Sequence, residues 1–159
     1  MSIADSGRFM VVNVMLVKGA TADLLAQLSA AVVKTFNRHP SMHTKQSDTE
    51  PLMADVYGPI TEEHLTSERL LFVKCTHAEE ISDKSWHAFV QQAMHAPRPR
   101  KLYFPFELHV WIDNLSDMAR FILLSDHYMS DGSSGNTILN DILAFASELS
   151  FKPESTTTE

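Results

Sequence analysis

The sequence predicts an α/β fold, a two-layer sandwich of helices on a mixed sheet that includes an antiparallel hairpin. The first observation is a strand, a glycine and a helix in direct succession near the start of the chain. The second is a pair of strand-like segments, 104–112 and 118–125, separated by a turn. The third is an amphipathic helix at 136–149. Strands that alternate with helices along a chain are typical of a sheet covered by helices.

The first unit begins with a Val- and Met-rich segment, 9–18, which has the composition of a largely buried strand. Gly19 ends it, and Thr21 is a good N-cap for the next helix. Apolar residues then recur at helical spacing, at Leu24, Leu25, Leu28, Val32 and Phe36. Because Pro40 disfavours helical geometry in the residue before it, we expect this helix to end by His39.

The middle of the chain predicts short elements. We expect strands at 41–46, 52–57 and 70–75, a helical turn at 61–65, and a helix over 86–94. Ser82 and Asp83 can cap that helix. Cys75, the single cysteine, falls in an apolar stretch, which favours a small core residue over a nucleophile. A disulfide within the chain is therefore excluded, and this cysteine usage suits a reducing compartment.

The paired segments predict an antiparallel hairpin with a turn at 114–117. On the first strand one face carries Phe106, Leu108, Val110 and Ile112, and the other carries Glu107, His109 and Trp111. This alternation is typical of an antiparallel pair with one face less buried. The final helix is expected to bury Ile138, Leu139, Ile142, Phe145 and Leu149.

Composition limits the function. The 159 residues fit one domain, which we assign to 8–150, with flexible termini at 1–7 and 151–159. A net charge of −7 argues against nucleic-acid binding. We find no apolar run of membrane-spanning length and no signal-peptide pattern, so we expect a cytoplasmic protein.

The histidines lack the ligand spacing of a metal site. A basic island at 98–101 is interpreted as a solvated loop, with a contact for an anionic acyl carrier as the alternative.

The candidate site follows the last predicted strand. His127, Asp131 and Gly132 stand at positions i, i+4 and i+5, after the apolar run 121–124. A histidine at the end of a buried strand, before a loop and a helix, is held by a rigid scaffold and aimed at a cleft. The alternative is a loop histidine that caps a strand or hydrogen-bonds a turn.

The helix after this segment is expected to begin near Gly135, with Ser133 and Ser134 as caps.

This pattern resembles the HxxxDG motif of the acyltransferase superfamily that includes chloramphenicol acetyltransferase, peptide-synthetase condensation domains, and alcohol and wax-ester O-acyltransferases. A second segment, Arg38-His39-Pro40-Ser41-Met42-His43-Thr44, is similar to the R-H-x-x-L-R-T segment that ends an early helix of condensation domains. The resemblance runs from Phe9 to Leu149 and implies the N-terminal, chloramphenicol acetyltransferase-like lobe of such an enzyme.

The resemblance implies that His127 is a general base, which deprotonates a hydroxyl or amine as that acceptor attacks an acyl thioester of coenzyme A or a carrier arm. Asp131 would hold the loop, and Gly132 would let the backbone turn tightly. His43 stands at the position of the family's arginine and would pair with Asp131. Candidate substrate-channel residues flank the histidine: Ser125, Asp126 and Tyr128. No metal or bound cofactor is implied, and the acyl thioester is a co-substrate.

The chain departs from the family in two ways. Many relatives carry a second histidine directly before the first, where this chain has Asp126. Members with two lobes are much longer and form the substrate tunnel between the lobes, whereas this chain matches one lobe. We therefore expect a second lobe or a homo-oligomer to complete the site. The alternative function is a non-catalytic remnant or binding module that keeps half of the fold.

Overall fold

The structure is a computed structural model that describes residues 10–19, 21–47, 49, 54–82, 85–96, 99, 102–126 and 132–150. Within them the strands are β1 (Met10–Lys18), β2 (Thr44–Gln46), β3 (Ala54–Val56), β4 (Leu71–Cys75), β5 (Phe106–Asp113) and β6 (Met118–Asp126). The α-helices are α1 (Thr21–Arg38), α2 (Glu62–Ser67), α3 (Ala78–Ser82), α4 (Ser85–His95) and α5 (Gly132–Ser150), and a short 3₁₀ helix spans Pro40–His43.

The main sheet has four strands in the order β1-β6-β5-β4. β4 runs parallel to β5, while β1, β6 and β5 are antiparallel neighbours. β2 and β3 form a separate antiparallel pair. The predicted mixed sheet and the hairpin with its turn at 114–117 are therefore confirmed. β6 lies inside the sheet with a partner on each side, which makes its end a rigid place for a site.

One face of the sheet packs against α1 and α5. The four residues of β5 that alternation placed on one face, Phe106, Leu108, Val110 and Ile112, are all buried in this core. Leu28 and Phe36 of α1 join them, as do Leu139 and Ile142 of α5. Apolar side chains at helical spacing thus form the stripes with which both helices cover the sheet.

The opposite face carries a second, smaller core. Trp111, Ile122 and Leu124 point away from α1 and α5 and pack with Ile81 of α3 and Val90 of α4. The predicted α/β sandwich is confirmed, and α3 and α4 add a thinner layer to the two that were expected. Since side chains alternate along a strand, β5 and β6 supply both cores.

Three local expectations need correction. The strand expected at 41–46 is reduced to Thr44–Gln46, because the fixed φ of Pro40 suits the first turn of the 3₁₀ helix. Cys75, expected in the core, is exposed because β4 is an edge strand of the sheet. The last helix begins at Gly132 and not near Gly135, so the two serines expected as caps lie in its first turn.

The start of α1 is held from a distance. Asp117 Oδ1, in the β5–β6 turn, accepts hydrogen bonds from the Thr21 amide at 2.8 Å and from the Thr21 hydroxyl at 2.7 Å. The Asp117 carbonyl also accepts from the amide of Gly19, whose φ of +91° suits a glycine. Thr21 is therefore the first residue of α1 and not the N-cap that was expected, and Asp117 provides the acceptor for its amide.

Several predictions fall outside the described residues and stay predictions. They concern the termini 1–7 and 151–159, the basic residues Arg98, Arg100 and Lys101, and the side chain of Leu149. Among the helices that are described, none combines the length and the apolar character needed to cross a bilayer.

Candidate functional site

The predicted motif lies between a strand and a helix of the described fold. β6 ends at Asp126, directly before His127, and α5 begins at Gly132, directly after Asp131. The segment between them, which includes Tyr128, lies outside the described residues. The roles expected of His127, Tyr128 and Asp131 thus stay predictions, and the structure describes the scaffold on either side.

The end of β6 is buried and tied to its neighbours. Ser125 pairs with Val11 of β1 and with Phe106 of β5, and its side chain is 1% exposed. The Asp126 amide donates to the Pro105 carbonyl at 2.7 Å, and Asp126 is 2% exposed. The Ser125 hydroxyl is buried without a hydrogen-bond partner among the described residues. These two residues therefore hold the backbone that leads into the motif, and their place in a substrate channel stays a prediction.

The start of α5 is set by a close contact with β1. A Cβ added to Gly135 would overlap the Asn13 side chain, so only glycine allows the helix to approach this near. Asn13 Nδ2 also donates to Asn136 Oδ1 at 3.1 Å. Together the two contacts fix the first turn of α5, and with it Gly132, against the edge strand β1.

His43 is tied to Tyr57, the residue directly after β3, through two hydrogen bonds. Its Nδ1 donates to the Tyr57 carbonyl at 2.8 Å, and its own carbonyl accepts from the Tyr57 amide at 2.8 Å. Because the partner of Nδ1 is a carbonyl, this nitrogen carries the proton and only Nε2 remains for a further contact. The predicted pairing with Asp131 would therefore use Nε2.

A second histidine of the same segment contacts the motif helix directly. His39 Nε2 lies 2.8 Å from Asp141 Oδ2, which joins the end of α1 to α5. The sequence marked His39 as a helix boundary and as part of the segment that resembles condensation domains, and neither indicated a contact with Asp141. The contact spans 102 positions and has no local signal, so it could not be found from spacing.

A third histidine pairs with a carboxylate on the other face of the sheet. His109 Nε2 donates to Glu107 Oε1 at 2.7 Å, and its ring stacks on Phe72 with centroids 4.6 Å apart. Both polar side chains are mostly buried. Their i, i+2 spacing on a predicted strand was the signal for this pair. Within the described residues, no group of three or more His, Cys, Asp or Glu side chains could hold a metal ion.

No protein-family model and no curated protein matches the chain. Solved structures do match it. The first condensation domain of the CDA synthetase aligns with a TM-score of 0.69 at 14% identity, covering 89% of this chain and 34% of that one. The fold is that of condensation domains. The starter condensation domain of the rhizomide synthetase RzmA aligns with a TM-score of 0.69 at 12% identity, covering 95% of this chain and 34% of that one.

SgcC5 from Streptomyces globisporus also matches, with a TM-score of 0.65 at 13% identity, over 91% of this chain and 31% of that one. The predicted resemblance is thus confirmed at the level of the fold. This chain spans about a third of the length of each of these structures.

Proposed function

We propose that this chain takes part in acyl transfer from a coenzyme A or carrier-protein thioester to a hydroxyl or amine, with His127 as the general base. The observation that carries the proposal is the position of the HxxxDG segment. It joins the inner strand β6 to α5, a helix whose apolar face is buried, within a condensation-domain fold. The described strand end and helix start fix the two ends of the segment that carries His127, which supports a positioned general base.

The proposed chemistry uses the imidazole of His127 twice. The neutral ring takes the proton of the acceptor hydroxyl or amine as that group attacks the thioester carbonyl. A C–O or C–N bond forms and the C–S bond breaks. The imidazolium then returns its proton to the departing thiolate. An unperturbed histidine, with a pKa of about 6.5, is mostly neutral at pH 7 and can start this cycle.

His43 and Asp131 are proposed to position the loop. The support is the anchoring of His43 by its Nδ1–H bond to the Tyr57 carbonyl, which leaves Nε2 as the only ring nitrogen available for the Asp131 carboxylate. Gly132, as the first residue of α5, would keep the loop close to the helix. Neither His43 nor Asp131 touches the acceptor in this scheme, so both act by orienting His127.

We further propose that a second lobe or a second copy of this chain forms the facing wall of the substrate channel. The support is that the chain spans about a third of the condensation-domain structures it matches. Sedimentation velocity over a range of protein concentrations tests for a second copy. A partner lobe from another chain would be sought by adding candidate partners to the activity assay.

The function is tested by a screen of acyl-CoA donors against alcohol and amine acceptors, read out as thiol release with a chromogenic disulfide. Because Cys75 is exposed, it will react with the reagent and add to the signal. The screen should therefore use Cys75→Ser, with each donor also run without acceptor as the control for hydrolysis. We expect acceptor-dependent thiol release for at least one pair. A folded monomer with no turnover across the panel would favour the non-catalytic binding module.

A further inference from the structure

A pocket of about 420 Å³ lies between β2, the segment after β3, and α2. It is lined by Lys45, Tyr57, residues 58–60, His64, Glu68 and Phe104. None of the described residues assigned to the motif, including His43 and Asp126, lines it. Its volume falls in the range of pockets that hold small molecules in proteins.

Lys45 is held at the wall of this pocket by two aromatic rings. Its Nζ lies 5.0 Å from the Tyr57 ring centroid and 4.7 Å from that of Phe104. Both distances are within the range of cation–π attraction. The lysine side chain is only 13% exposed, so its ammonium is largely removed from water and favours a nearby anion.

Glu68 supplies that anion in the structure. Its Oε1 lies 2.7 Å from Lys45 Nζ, but its side chain is 31% exposed, more than twice the exposure of the lysine. A carboxylate with this exposure can rotate into water, where its charge stays solvated. The Lys45 ammonium lies against the rings of Tyr57 and Phe104 and stays in the pocket when Glu68 turns away. The carboxylate of a ligand could therefore replace that of Glu68 beside Lys45.

Two further residues of the pocket, His64 and Tyr57, could contact a ligand whose carboxylate binds Lys45. His64 Nδ1 accepts the Thr61 amide at 3.0 Å, so in the neutral ring Nε2 carries the proton and is a donor. Tyr57 is 43% exposed and presents an aromatic surface beside the pocket. An aromatic ring on the ligand could stack or meet edge-to-face there.

We propose that this pocket is a second small-molecule site, which binds an aromatic carboxylate with its anionic group on Lys45 in place of Glu68 and its ring against Tyr57. The inference does not depend on acyl transfer at His127. The site takes its specificity from one mostly buried cation, Lys45, and one exposed aromatic ring, Tyr57.

The test is a titration of the full chain with benzoate, with benzyl alcohol as the uncharged analogue. Binding is followed by ¹H–¹⁵N chemical shifts of the Gly58 and Ile60 amides. We expect benzoate to shift these amides and to bind about tenfold or more tightly than benzyl alcohol, because a charge-assisted hydrogen bond is lost in the analogue. Equal affinities, or shifts elsewhere only, would overturn the proposal.

Three variants complete the experiment. Lys45→Met should abolish benzoate binding, and Glu68→Gln should tighten it by removing the competing carboxylate. Lys34→Met is the matched control, since Lys34 also lies by a carboxylate and over a ring, at Glu148 and Phe145, but is 55% exposed and outside the pocket. It should leave the affinity unchanged. If circular dichroism shows that Lys45→Met does not fold, Glu68→Gln decides: unchanged or weaker benzoate binding would refute the site.

Discussion

The backbone of Gly135 lies directly against the side chain of Asn13, where α5 leaves the motif and crosses β1. Asn13 is buried and bonded to Asn136, so it cannot move aside without losing that hydrogen bond. Alanine is the better helix former by about 1 kcal/mol, which alone would make Gly135→Ala stabilising. The contact with Asn13 makes the substitution destabilising instead.

Overpacking usually costs about 1–3 kcal/mol, of which the better helix propensity offsets about 1 kcal/mol, so we expect Gly135→Ala to lower the free energy of unfolding by up to about 2 kcal/mol. Urea denaturation followed by circular dichroism measures it. The double variant with Asn13→Ala is the control, because removing the Asn13 amide makes room for the new methyl group. If Gly135→Ala is as destabilising in that background as in the wild type, the contact is not the cause.

The Asp117 side chain should contribute more to the free energy of unfolding than other acidic side chains near α1. Asp117→Ala removes the acceptor of two hydrogen bonds from Thr21 and places alanine at a φ of +55°. We expect a loss of about 1–2 kcal/mol, as for a lost helix cap. Asp117→Asn keeps an oxygen acceptor and tolerates this φ, so it should retain most of the stability. Asp23→Ala, at an exposed position of the first turn, is the control and should change little. Equal losses for Asp117→Ala and Asp23→Ala would rule out the long-range cap.

The edge of the sheet should respond to acid through Glu80. Hydrogen bonds from Lys74 and Thr76 lower the pKa of Glu80 below its ordinary value of 4.5. The stabilisation from the ionised carboxylate is therefore present above pH 4.5 and is lost as the pH falls through the lower pKa of the folded state.

Glu80→Gln should accordingly be less stable than the wild type at pH 7, by less than about 1 kcal/mol, with the difference vanishing in strong acid. Thermal unfolding across a pH series checks this, with Glu79→Gln as the exposed neighbour for comparison. A stability difference that is constant with pH would argue against these hydrogen bonds.

His43 and Asp131 are expected to act as a pair through Nε2 of the histidine. With Nδ1 bonded to the Tyr57 carbonyl, Nε2 is the ring nitrogen that can meet the Asp131 carboxylate. A double-mutant cycle with His43→Ala and Asp131→Ala should thus show a coupling of about 0.5–3 kcal/mol in the free energy of unfolding. His77→Ala, on an exposed histidine, replaces His43→Ala in the control cycle and should show additivity with Asp131→Ala. Strict additivity of His43→Ala and Asp131→Ala would mean that the two residues do not meet.

Local patterns predicted most of the scaffold because its elements carry clear periodicities. Alternation along β5 predicted the buried face, and helical spacing predicted the stripes of α1 and α5. The exposure of Cys75 could not be predicted, because it depends on β4 lying at the edge of the sheet. The start of α5 at Gly132 depends on contacts with Asn13 across the fold, which override the weak helix preference of glycine and serine. The cap from Asp117 and the pairing of His39 with Asp141 likewise join residues far apart in sequence.

The candidate site was predicted as a strand, a loop and a helix, and the strand and the helix meet that expectation. His127 belongs to the segment between them, which lies outside the described residues, and its chemistry was predicted from the resemblance to the acyltransferases. The spacing of the motif residues alone was also compatible with a histidine that caps a strand or hydrogen-bonds a turn.

The most direct measurement of the central proposal is the rate of acyl transfer by His127→Ala, with the donor and acceptor found in the screen and in the Cys75→Ser background. His95→Ala removes an exposed histidine at the end of α4 and is the matched control. Removal of a general base should lower the rate by about 10²–10⁴-fold, while the far-UV spectrum stays that of the folded chain and His95→Ala keeps full activity. An undiminished rate in folded His127→Ala would contradict the mechanism.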